Sequence, residues 1–152
     1  MIEGVRLTPL RQIVDERGKI MHMMKSTDPN FKQFGEIYFS CAWPGVVKGW
    51  HVHNSMTLNM AVISGHAKFA CYDTRLDSSS LGGLVEFCLG EDVYGLLTIP
   101  PGVWSGYAPY GDELTIVANC ATEPHEPSEI RYARYDKLPG TEVAFEWLVT
   151  HG

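Results

Sequence analysis

The sequence predicts an all-β protein of one domain, a sandwich or a barrel, on three observations. A chain of 152 residues has the length of one ordinary domain. Its 15 glycines and 9 prolines fall between short apolar runs instead of gathering in a linker, as in short strands joined by frequent turns. No segment carries a long amphipathic 3.6 period.

Taken in order, strands are expected over 20–24, 36–42, 45–50, 58–63, 67–73, 83–89, 94–99, 102–107 and 114–121. The pair 58–63 and 67–73 flanks Gly65, and 94–99 and 102–107 flank the rigid Pro100-Pro101-Gly102 turn. In Ala67-Lys68-Phe69-Ala70-Cys71-Tyr72-Asp73 the odd positions form one face and the even positions the other. Ser78-Ser79-Ser80 reads as a turn. Only 127–136 and 142–149 leave room for a helical turn.

Composition removes several function classes. Hydrophobic residues are 45% and charged residues 20%, the balance of a soluble globular chain and not of a disordered one. The formal charge is −6, and no basic patch is visible, so nucleic acid is not an expected partner. Apolar runs such as Met60-Ala61-Val62-Ile63 fall far short of the roughly 20 residues a membrane helix needs. Met1-Ile2-Glu3-Gly4 has neither the basic start nor the apolar core of a secretory signal, which points to the cytoplasm. Cys41, Cys71, Cys88 and Cys120 form no CxxC pair, and three sit in apolar runs; buried free thiols are expected.

Two segments carry candidate chemistry. In the extended run Lys48-Gly49-Trp50-His51-Val52-His53, His51 and His53 project to one face and Trp50 and Val52 to the other. Paired imidazoles on a strand suit metal binding or proton handling near neutral pH, and equally a structural or surface role. After the Pro-Pro-Gly turn, Trp104 and Tyr107 read as core aromatics or as a platform for a ring-shaped ligand.

In chain order, Asp15-Glu16-Arg17-Gly18, Val47-Lys48-Gly49-Trp50-His51, Gly65, Tyr72-Asp73-Thr74-Arg75 with Asp77-Ser78-Ser79-Ser80-Leu81-Gly82, Ile99-Pro100-Pro101-Gly102 with Gly106-Tyr107, and Glu146-Trp147 form an ordered set. This set, spanning residues 4 to 148, resembles the dTDP-4-dehydrorhamnose 3,5-epimerase family, proteins of the cupin fold (a double-stranded β-helix or jelly-roll barrel). The resemblance implies that His51 is the catalytic base, with Lys48 where the family usually has arginine. It also implies that Arg17 helps hold the nucleotide sugar, often from the neighbouring subunit of a dimer. The chain departs from the pattern at Leu58, where a lysine is expected. It has no tyrosine near Ile116 or Val117, where the family's acid falls, and Ser105 replaces the histidine after the turn. The family's base-orienting aspartate follows the closing tryptophan, and this chain ends soon after Trp147. The paired His51 and His53, and Val103-Trp104, are also similar to the related sugar 3,4-ketoisomerases, in which both histidines shuttle protons. A metal-binding cupin would add a carboxylate after the histidine pair. Asn54-Ser55-Met56-Thr57-Leu58 contains none, and no metal is expected.

The function this implies is epimerisation of a nucleotide-linked 4-keto-6-deoxy sugar by proton abstraction beside the ketone, with no organic cofactor. A 3,4-ketoisomerase, or a non-catalytic sugar-nucleotide-binding cupin, is the alternative. His51 is the expected base and His53 its partner, second base or donor. Tyr107 is a candidate acid or oxyanion donor, or else a core aromatic. Arg17, Lys48 and Arg75 are candidate diphosphate cations, although Arg75 reads equally as an ion-pair partner of Asp73 or Asp77. Trp104 is a candidate stacking surface. One domain spanning 1–152 is expected, with N-terminal strands over 1–44 at a homodimer contact, a barrel core over 45–122 and an extension over 123–152.

Overall fold

The computed structural model describes residues 1–148. Its strands are β1 (Arg6–Pro9), β2 (Gln12–Asp15), β3 (Gly18–Met21), β4 (Glu36–Ala42), β5 (Lys48–His53), β6 (Leu58–Ser64), β7 (His66–Asp73), β8 (Leu84–Gly90), β9 (Gly95–Ile99), β10 (Val103–Pro109), β11 (Thr115–Ala121) and β12 (Ile130–Tyr132). One antiparallel sheet has the order β1-β9-β6-β11-β4, the other β12-β5-β10-β7-β8, and β2 and β3 form a separate hairpin. One core joins the two sheets, with Val62, Leu97 and Val117 from the first and Phe69, Cys71 and Tyr107 from the second. Burying both inner faces against each other supplies the main driving force for the barrel. Among the described residues no helix is long and apolar enough to cross a membrane.

The fold differs from the sequence expectation in particular places. Strands β1, β2 and β12 were not expected, and β1 and β4, both within the first 44 residues, pair into the barrel sheet. The strand expected over 45–50 begins later, because Gly45 takes φ +79° and the Val46 N–H closes a turn onto the Trp43 carbonyl. Both histidines therefore lie within β5. A 3-10 turn occupies Pro127–Glu129, inside the window left for one. The second window holds no helix over 142–148, where Ala144 forms an isolated bridge with Lys137; Val149 lies outside the described residues. All four cysteines are free, but only Cys71 is buried; Cys41 and Cys88 point outward, because strand alternation turns every second residue of an apolar run away from the core.

A second cluster, Trp50, Ala70, Ala108 and Trp147, fastens the C-terminal segment to the second sheet. The Trp147 indole lies 4.7 Å from the Trp50 ring and donates from Nε1 to the Tyr135 carbonyl. Gly49 and Gly106 make this possible, since a Cβ on either would meet Trp147 at 3.0 and 2.6 Å. The conformation of β5 beneath His51 is thus fixed from behind.

Asp73 and Arg75 form a structural clamp. Asp73 is fully buried and accepts from Arg75 Nε at 2.9 Å and Nη2 at 2.8 Å, and from the Ser78 and Ser80 hydroxyls at 2.6 Å each. Arg75, first among these donors, holds the carboxyl well below its usual range. Asp73→Ala is expected to cost about 2 kcal/mol in urea unfolding, since Arg75 can turn to water but the two hydroxyls cannot.

Candidate active site

A cavity of about 690 Å³ opens between the sheets. From β4 it takes Glu36, Tyr38 and Ser40, and from β5 Lys48, His51 and His53. Met56, Met60 and Val117 make its apolar floor, and Asn119, His125 and Tyr132 contribute further polar groups. This size and balance suit a small polar ligand carrying an apolar ring face.

The two histidines share one wall, with ring centroids 5.6 Å apart and an edge-on interplanar angle of 85°. Their environments differ. Burial first, and the nearby charge of His53 second, push the His51 pKa down from 6.5 to about 4. His51 is therefore a neutral imidazole at physiological pH, able to accept a proton. His53 is anchored: its Nδ1 lies 2.5 Å from Glu129 Oε2. The other Glu129 oxygen accepts from the Ser55 amide at 2.6 Å and the Met56 amide at 2.7 Å. Burial works to raise the Glu129 pKa, but these two amides and His53 outweigh it and hold it near 2. An ionised carboxylate requires a proton on His53 Nδ1, so this nitrogen donates to Glu129 and Nε2 is the one left unengaged by it.

A second polar cluster stands where the sheets approach. The Tyr107 hydroxyl donates to Ser40 Oγ at 2.8 Å, and Lys48 Nζ donates to the same oxygen at 3.0 Å. With two donors on its oxygen, the Ser40 hydroxyl can turn its own hydrogen into the cavity. Burial pushes the Tyr107 pKa up to about 12. Farther along the sheet that carries Ser40, Asn59 N–H donates to Asn119 Oδ1, and Asn119 Nδ2 donates to the Tyr38 hydroxyl, both at 2.9 Å.

Of the residues singled out from sequence, His51, His53, Lys48 and Tyr107 line the cavity. The other three lie elsewhere in this chain. Arg75 is held by Asp73 and the Glu3 carbonyl, the ion-pair alternative. Trp104 alternates away from Tyr107 along β10, packs with the outer cluster, and donates to Thr74 Oγ1. Neither Arg75 nor Trp104 reaches the cavity, which corrects their placement as ligand contacts. Arg17 sits on the β2–β3 turn, with its side chain 82% exposed and paired with Asp15. Sequence reasoning missed Ser40, Tyr38, Asn119, His125 and Glu129. Alternation along 36–42 places Tyr38 on the same face as Ser40, but no spacing ties Glu129 to a histidine 76 residues earlier.

Two antiparallel sheets closed over a histidine-lined cavity define a cupin. Within that class the chain belongs to the dTDP-4-dehydrorhamnose 3,5-epimerase family, whose model matches residues 1–150. The spore coat polysaccharide biosynthesis protein SpsL of Bacillus subtilis is 33% identical over 150 residues, 97% of each chain. The probable low-salt glycan biosynthesis epimerase Agl13 of Haloferax volcanii is 30% identical over 127 residues, covering 82% of this chain and 81% of that one. The crystal structure of a dTDP sugar isomerase from Desulfovibrio desulfuricans is 43% identical and superposes with a TM-score of 0.90, covering 96% of this chain and 92% of that one. Membership supports an enzyme role among the sugar epimerases and isomerases of deoxysugar or glycan biosynthesis.

Proposed function

We propose that the protein epimerises a nucleotide-linked 4-keto-6-deoxy sugar by moving a proton at a carbon beside the ketone. The observation that carries this reading is His51, a neutral, partly desolvated imidazole facing a ring-sized cavity. A C4 ketone acidifies its neighbouring C–H bonds because the carbanion delocalises onto oxygen. His51 takes the proton, and the developing enolate is stabilised by the hydroxyl of Ser40, polarised by Lys48 and Tyr107. The low basicity of His51 is offset as the enolate forms, since the imidazolium then faces an anion. The ketone is the electron sink, so the step needs no electron carrier.

Lys48 is the one Lys or Arg among the cavity-lining residues described, which is few for a diphosphate. Arg17, exposed on its hairpin, is proposed to supply a further cation to the cavity of a partner in a homodimer.

The test is incubation with dTDP-4-keto-6-deoxyglucose in deuterated water. Deuterium at C3 or C5 by NMR is expected, with inversion at the labelled carbon. No label with this or other 4-keto-6-deoxy sugar nucleotides would overturn the reading. The same-wall placement of His51 and His53 favours a second reading, 3,4-ketoisomerisation, in which the C3 proton is carried to C4 on one face while the O3 hydroxyl gives up its proton and O4 gains one. A 3-keto product without inversion would select it.

A further inference from the structure

Inversion of a carbon needs a proton donor on the wall opposite the base, and His51 and His53 stand on the same wall. Strand β11 has no tyrosine, but it pairs with β4 so that Asn119 lies beside Tyr38. Ser40 on β4 meets Lys48 of β5 across the cavity. One step of alternation from Ser40 reaches Tyr38, and since β4 belongs to the first sheet and β5 to the second, Tyr38 faces the histidine wall. Both Tyr38 and His51 line the cavity.

The hydrogen bonds around Tyr38 set the direction of its proton. The Asn59 amide occupies Asn119 Oδ1, which fixes the side-chain amide and turns its Nδ2 toward the phenol oxygen. The phenol oxygen therefore accepts from Asn119 and must point its own hydrogen elsewhere. Asn59 is itself tied to the Cys120 carbonyl and Thr98 Oγ1. Asn59 and Asn119 are 2% and 1% exposed. A chain of buried amides is costly in a core, and it ends on one hydroxyl at the cavity.

Building on the proposed epimerisation, we infer that Tyr38 is the catalytic acid that protonates the enolate on the face opposite His51. His51 breaks the C–H bond and becomes imidazolium, and the electron pair moves to the C4 oxygen. The enolate carbon then forms its new bond to the Tyr38 proton, the C4 carbonyl is restored, and a phenolate remains. Asn119 Nδ2 stabilises that phenolate. Tyr38 is 40% exposed, so water returns a proton to it while the imidazolium releases one to solvent, closing the cycle.

The experiment compares wild type, Tyr38→Phe and His51→Asn on dTDP-4-keto-6-deoxyglucose in deuterated water, reading label and configuration separately. Tyr38→Phe is expected to keep wash-in within a few-fold of wild type, with retention, while inversion falls about 100-fold. Inversion at the wild-type rate in Tyr38→Phe would overturn the role of Tyr38 and leave the epimerase reading standing. Loss of both signals in Tyr38→Phe, as in His51→Asn, would also overturn it, since an acid is not needed for abstraction. A wild type that neither labels nor inverts would overturn both.

Discussion

Replacing His51 by asparagine is expected to lower solvent-deuterium wash-in about 1000-fold or more, the scale of a lost general base in a site that keeps its other groups. Asparagine fills similar space but has no lone pair basic enough to accept a carbon-bound proton. His53 does not replace it, because Glu129 fixes that ring in place. Because His51 stays neutral down to about 4, the acid limb of kcat/KM in wild type should fall well below pH 6.5. The same group leaves a mark on stability. Its folded value is below its unfolded value of 6.5, so between pH 6.5 and 4 the unfolded chain binds more protons. Its contribution is complete above pH 6.5 and disappears as the pH falls toward 4, by about 3 kcal/mol in all. Urea titrations across that window should show this slope in wild type and a flatter one in His51→Asn. Wash-in retained in a folded His51→Asn protein would remove the imidazole from the chemistry.

What was legible in the sequence is what strand alternation encodes. A period of two puts His51 and His53 on one face and sends Trp50 behind them into the Trp147 cluster. The same rule separates Trp104 from Tyr107, three residues apart on β10, and applied strictly it assigns the tryptophan to the outside. Arg75 was ambiguous because an arginine two residues after an aspartate serves as well for a clamp as for a phosphate, and burial of Asp73 decides the matter. Glu129 and Asn119 were not legible. Each gains its role through pairing with distant chain, Glu129 because β12 lays Ile130 against His53, and Asn119 because β11 lies between β4 and β6. Residue spacing carries no trace of such contacts, since they are set by which strands become neighbours.

Changing Glu129 is expected to have the second large effect, and two substitutions separate its structural and chemical parts. Its side chain is 11% exposed and serves His53, Ser55 and Met56 together. Glu129→Ala removes every acceptor and leaves two amides and an imidazole N–H unpaired, at a cost of about 3 kcal/mol in urea unfolding. The wild-type carboxyl lies near 2 against 4.5, so its contribution is present above pH 4.5 and lost as the pH falls toward 2, a window below that of His51. Glu129→Gln keeps the shape and has a different consequence. Its carbonyl oxygen is held by the Ser55 and Met56 amides, so its NH₂ must face His53. Two donors cannot meet, so the contact that orients the His53 ring on the cavity wall is lost. The expected result is a protein stable to within about 1 kcal/mol of wild type but at least 10-fold slower, because the ring packed against His51 is no longer held in place, with histidine ¹⁵N shifts reporting the lost contact. Unchanged His53 ¹⁵N shifts together with wild-type turnover in Glu129→Gln would mean that the carboxylate only fastens the 3-10 turn to β5, and that the placing of the ring beside His51 does not matter to the reaction.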